Sequence, residues 1–173
     1  MKTTTRTLAL ASTAALACLL ASCAGSIDTA ALVPAHVVAS HRTGQPVSAF
    51  VSGGGPGSAI IAPISNEDFK QALETSLVQS GMFKSAGSGG YQVEAFITSI
   101  EQPAIGISMR VNMEVSYALK RGGAVVWRKS IKSTYTAPMG EAFVGAVRVR
   151  KATEGAAREN IAALIRSLDE KRL

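Results

Sequence analysis

The segment ISMRVNMEVSYALK, residues 107–120, decides the fold. Ile107, Met109, Val111, Met113, Val115, Tyr117 and Leu119 alternate with Ser108, Arg110, Asn112, Glu114, Ser116, Ala118 and Lys120. A period of two is that of a strand with one face in the core and the other in water. Arg121-Gly122-Gly123 then reads as a turn, since glycine takes positive φ without steric cost. Val125, Trp127, Ile131 and Tyr135 predict a return strand. Upstream, Tyr91, Val93, Ala95 and Ile97 share one face of an earlier strand, with Phe96 and Ile100 out of step. Pro103 and Gly106 punctuate the link between these strands.

Two helices flank the strands. Ser65 is placed to cap the first, with Asp68 three residues on and Glu67 favourable near the dipole. Phe69, Leu73 and Leu77, with Ala72 and Ser76 beside them, form its apolar stripe, and Gly81 is a natural stop. Residues 147–172 predict a long second helix with Ala157, Ile161, Leu164, Ile165 and Leu168 facing inward. Glu154 with Arg158 and Arg166 with Glu170 are i, i+4 charge pairs there, and Gly155 is an internal flaw. Short strands are expected at residues 36–40 and 47–51. The order predicts an α+β fold, a two-layer sandwich with an antiparallel sheet and helices packed on one face.

The first 23 residues have a different character. Lys2 and Arg6 precede an apolar run over residues 8–20, and no further charge occurs before Asp28. The run is too short for a permanent membrane span and reads as an export signal. It ends in Leu20-Ala21-Ser22-Cys23, which resembles the lipobox of bacterial lipoproteins: small residues fit the peptidase, and the thiol accepts a diacylglyceryl group as a thioether. The expected organisation is a signal peptide over residues 1–22, a lipidated N-terminus and tether over 23–35, and one α+β periplasmic domain over 36–173. A tether of that length reaches at most about 40 Å. Each buried methylene adds about 0.8 kcal/mol of membrane affinity, so several acyl chains on Cys23 would hold the domain to the membrane. In Gram-negative lipoproteins an Asp after the cysteine favours the inner membrane. Ala24 stands here, and by that resemblance the expected location is the periplasmic face of the outer membrane.

Loss of Cys18 with the signal and alkylation of Cys23 would leave no free thiol for a disulfide, nucleophile or metal site. Removing Lys2 and Arg6 from the 18 basic residues leaves 16 against 12 acidic ones, a formal +4. Export and the scarcity of interleaved aromatics argue against a nucleic-acid partner. The charge is unevenly placed: Lys120, Arg121, Arg128, Lys129, Lys132, Arg148, Arg150 and Lys151 occur with one acid among them, Glu141. If the return strand and the start of the last helix lay side by side, these eight would form a patch for an anionic partner, such as anionic lipid, peptidoglycan carboxylates or an acidic protein. A solvated basic face is the plainer reading.

Other motifs point to no chemistry. Gly53-Gly54-Gly55-Pro56-Gly57-Ser58 lacks the Lys-Ser/Thr pair of a phosphate loop, and Pro56 removes an amide donor. His36 and His41 fall on opposite faces of any strand and lack convergent ligands, so no metal site or triad is expected and both read as exposed. Glu94, Glu101 and Glu114 lie near the strands, but Glu114 shares a face with Arg110 and Lys120, a charge pattern of a wet sheet. No catalytic residue, cofactor or enzymatic activity is expected.

Residues 91–168 resemble the C-terminal half of small proteobacterial envelope lipoproteins of the YajG-like kind. The likeness rests on the long alternating hairpin, the Phe143-Val144-Gly145-Ala146 junction and Ala157-Arg158-Glu159-Asn160-Ile161 in the final helix. The order of elements is also similar to auxiliary lipoproteins of transport systems. The resemblance implies a non-enzymatic accessory or scaffold protein of an envelope assembly or transport system, with the membrane and an envelope protein as partners. An alternative is a lipid or lipopolysaccharide carrier in which Met109, Val111 and Met113 stay partly uncovered and take acyl chains. A serine or carboxylate-pair hydrolase is a third reading.

Overall fold

The computed structural model describes residues 26–55, 57–103 and 109–172. The expected signal, Cys23, and the positions Gly106, Ile107 and Ser108 lie outside the described residues. The alternating segment is an inner strand of a four-stranded sheet, ordered β1 (Val47–Ser52), β2 (Tyr91–Glu101), β3 (Met109–Arg121) and β4 (Ala124–Ala137). Its odd-numbered positions from Met109 to Leu119 are all buried, as a one-sided strand requires. Helices α1 (Asn66–Gln79) and α2 (Gly145–Lys171) both cover that side. The result is an α+β fold of a sheet with two helices packed against it.

One pairing departs from the expected antiparallel sheet. β2–β3 and β3–β4 are antiparallel, whereas β1 runs parallel to β2. The reason is the intervening helix: α1 carries the chain back along the sheet, so β2 starts at the same end as β1. The Ser65 hydroxyl accepts the Asp68 amide at 3.0 Å, the expected cap. At the other end Gly81 takes φ of 78° and turns the chain away.

Each helix buries the predicted stripe. Phe69, Leu73 and Leu77 of α1 and Ala157, Ile161, Leu164 and Leu168 of α2 are fully buried. A polar seam joins α2 to β4: the buried Asn160 amide donates to the Ile131 carbonyl at 2.9 Å and the Ser133 hydroxyl at 3.0 Å. Its carbonyl accepts from the Tyr117 hydroxyl at 2.9 Å. Burial raises the Tyr117 hydroxyl well above its ordinary pKa, so it stays a donor. Gly155 is part of this packing and not a flaw. A Cβ there would stand 2.4 Å from Tyr135 ring carbons, so only glycine lets the ring lie against the helix backbone.

The N-terminal region departs most from expectation. Residues 36–40 form no strand, because their backbone is held by other elements: the Ala39 amide donates to the Ser80 carbonyl, and the Ser40 and His41 amides donate to the Asp169 carboxylate. Nor are residues 27–35 a free tether. A 3-10 turn, Thr29–Leu32, sits against both helices with Leu32 fully buried. The Asp28 amide donates to Glu154, the Thr29 hydroxyl to Asp68, and the Arg158 guanidinium to the Ala31 carbonyl. His36 is exposed, whereas His41 is half-buried and pairs with Asp169 at 3.0 Å. The segment is a strap across the helical layer.

Two outcomes are expected. Gly155→Ala should lower stability in chemical denaturation, because an overpacking cost near the upper end of about 1–3 kcal/mol exceeds the gain of about 1 kcal/mol in helix propensity. With Tyr135→Ala already present, the same change should stabilise. The second concerns Asp169. Amide hydrogen bonds from Ser40, then His41, lower its carboxyl from 3.8 to about 2. A depressed folded-state pKa means that the strap's attachment is fully present above pH 3.8 and is lost as pH falls through about 2. NMR titration of the Ser40 and His41 amides should show a midpoint near the lower value; a midpoint at the ordinary aspartate value would contradict it.

Candidate functional site: the open face of the sheet

Because both helices lie on one side, the other side of the sheet has no layer over it among the described residues. Even-numbered positions of β1, β3 and β2 as far as Thr98 project there, as strand alternation requires, and a register shift between Ile97 and Ser99 then turns Ile100 into the core and Glu101 outward. Most are polar, but Phe50 and Phe96 are 57% and 52% exposed. The register sets Phe50 opposite Glu94, and Phe96 opposite Ser116. Around them is a shallow concavity of about 360 Å³ lined by Phe50, Ser52, Glu94, Phe96, Ser116 and Arg128. Arg128 enters from β4, opposite Ala118. The concavity thus combines two aromatic faces, a guanidinium and a carboxylate.

The surrounding charges are held in cross-strand pairs. Lys120 bonds Glu94, and Lys132 lies 3.5 Å from Glu114, which also accepts from the Ser130 hydroxyl at 2.7 Å. The Ser130 hydroxyl, and against a smaller desolvation cost Lys132, lower the Glu114 carboxyl from its ordinary pKa. Glu101 accepts instead from the Asn112 amide. Each of the three carboxylates singled out in the sequence therefore has its own partner. Among the described residues no group of three or more His, Cys, Asp and Glu side chains is placed to hold a metal ion.

The eight basic residues are distributed over several surfaces. Lys120, Arg128 and Lys132 belong to the open face. Lys129 points to the other side, where its ammonium donates to Ser167 of α2 at 2.7 Å. The Arg121 guanidinium stacks 5.2 Å from the centre of the Tyr91 ring. Arg148, Arg150 and Lys151 lie in the first turns of α2; Arg148 is buried, and Arg150 reaches Glu154 at 3.8 Å and the Ser26 carbonyl at 3.5 Å. That helix start follows the Ala137 end of β4, whereas Arg121 stands at its opposite, hairpin end. Several of the cations on β4 also charge a free sheet edge, which discourages another chain from pairing there.

Other expected features also have defined places. Met109, Val111 and Met113 are buried beneath the helical layer, so this stripe is core and is not left open for acyl chains. The Gly54 amide is bonded to Asn66 and the Gly55 amide to the Ile64 carbonyl, so neither is available to cradle an anion. No helix among the described residues is long and apolar enough to cross a membrane.

No family model matches this chain, and no curated protein matches it. Solved structures do. A Xanthomonas campestris protein of the DUF330 family superposes with a TM-score of 0.59 at 13% identity, covering 81% of this chain and 93% of that one. A Caulobacter crescentus protein whose name gives it as a candidate lipoprotein superposes with a TM-score of 0.52, also at 13% identity, covering 72% of this chain and 88% of that one. The likeness is one of fold. At such identity it transfers the order of helices and strands and no site residue, and it does not distinguish the YajG-like kind from other lipoproteins with this architecture.

Proposed function

We propose that this chain is a non-enzymatic lipoprotein, anchored through acyl chains on Cys23 at the periplasmic face of the outer membrane. Its open sheet face holds a protein partner of an envelope assembly or transport system. The lipobox-like Leu20-Ala21-Ser22-Cys23 supports the anchor, and the Caulobacter fold neighbour named as a candidate lipoprotein agrees with it. The observation that carries the binding role is the pair of half-exposed phenylalanines beside Arg128 on a face with no layer over it. Aromatic and Arg side chains in a shallow depression are the usual anchors of protein recognition. The carrier reading loses its proposed acyl surface with the burial of Met109, Val111 and Met113.

A photo-crosslinking residue at Phe96 tests this in cells. It should give a discrete adduct with another envelope protein, and the same residue at Val38, exposed on the strap, should not. Adding Cys23→Ser should remove both membrane attachment and the adduct. An acylated, folded protein that yields no adduct at Phe96 or Phe50 would contradict the binding role.

A further inference from the structure

Apart from Val38 on the strap, the most exposed large apolar side chains away from the open face gather at one end of the sheet. Phe143 is 101% exposed, Ile60 98%, Met139 65% and Val144 61%. Ile60 lies in the segment after β1; Met139, Phe143 and Val144 lie between β4 and α2. β1 and β4 both finish at the end where β2 finishes and β3 begins, as their register requires. Hydrogen bonds tie the first of these segments to that end and to α2: the Ile61 amide donates to Gln102, whose amide donates to Thr153 of α2 at 2.9 Å. Glu141, the acid nearest the Phe143 tip in sequence, is turned to the Tyr135 hydroxyl at 2.8 Å.

The chain's N-terminal side emerges at this same end. Arg150 of α2 holds the Ser26 carbonyl, and Glu154 holds the Asp28 amide. From Cys23 to Ser26 there are three residue steps, a reach of about 11 Å when fully extended. A bilayer holding acyl chains on Cys23 must therefore lie against this end of the domain. The side chains it would meet are the protruding apolar tips.

We propose that this end is a membrane seat: Phe143, Val144, Met139 and Ile60 enter the boundary between headgroups and acyl chains. The proposal rests on the lipoprotein reading for its leash. Apolar side chains in such a boundary sit about 5–10 Å deep, which fits loop tips better than a flat sheet face. The seat fixes orientation. A single leash would let the domain swivel, whereas the leash with two inserted loops holds the open face side-on to the bilayer, available to a partner.

The mature chain would have no free thiol, so Phe143→Cys introduces one addressable site at a fully exposed position, and Val38→Cys provides the control. Each full-length variant is purified in its acylated form, labelled with an environment-sensitive fluorophore and reconstituted into vesicles of phosphatidylethanolamine and phosphatidylglycerol. At Phe143 we expect a blue shift and loss of most of the emission to nitroxide quenchers on the lipid acyl chains; at Val38 we expect neither. Equal, water-like emission at both positions in vesicle-bound protein would overturn the seat. Mass analysis of the N-terminal peptide reports the anchor separately. If Cys23 carries no acyl group, both variants are remade with Cys18→Ser and Cys23→Ser so that the label stays on one thiol, and vesicles are then added: quenching at Phe143 supports the seat and no response overturns it.

Discussion

A strand that is apolar on one side can bury that side only once. β3 imposes this constraint on everything around it, because its inward side chains require helices above them and its outward side chains require water. With α1 and α2 committed to the same side, the domain becomes a two-layer object with unlike surfaces. The helical side carries the core, the Tyr117–Asn160–Ser133 seam and the close approach of Tyr135 to Gly155. The strand side carries paired charges and two phenylalanines without a cover. Whatever the domain recognises through its sheet, it recognises across that second surface.

The strap determines how the domain is presented. Residues that a sequence reading assigns to a loose tether are bound across the helical layer by Asp68, Glu154 and Arg158. With them bound, three residue steps separate Cys23 from Ser26, whose carbonyl Arg150 holds, in place of the dozen residues of a tether. Under the proposed anchoring, a dozen residues would allow the domain to sample many orientations some tens of ångströms from a bilayer, whereas three would hold it against the surface. The exposed tips at Phe143 and Ile60 would then lie next to the leash, with the open face on the flank.

Much of the fold is legible in the residues, because it follows from local periods. The β3 alternation, the Ser65 cap and the two helical stripes are patterns within one element, and each is found where it was expected. The parallel pairing of β1 was hidden, since five or six residues of strand do not say which neighbour or direction they will take. The strap was hidden for a similar reason: Ile27 and Leu32 show no period, and the groups that hold the segment are distant in sequence, 39 residues away for Thr29 with Asp68 in α1 and 126 for Asp28 with Glu154 in α2. The basic cluster shows the converse error. Arg128 and Lys129 are adjacent in the chain, yet strand alternation sends them to opposite sides of the sheet, so density of charge along a sequence is no measure of density on a surface. The signal that did foretell the open site was Phe96, an aromatic out of step with its strand, which reads locally as a fault in the alternation and structurally as an exposed side chain on the open face.

The proposed leash length and the end proposed to meet the membrane both depend on the strap being part of the folded domain. Hydrogen exchange of the native protein, read at the amides of Asp28, Ala31, Val33 and Ala39, measures it. Protection approaching that of the first turns of α2 is the predicted result. Exchange at the rate of an unstructured chain through residues 27–35 would contradict it, restoring a long tether and removing the reason for a fixed orientation.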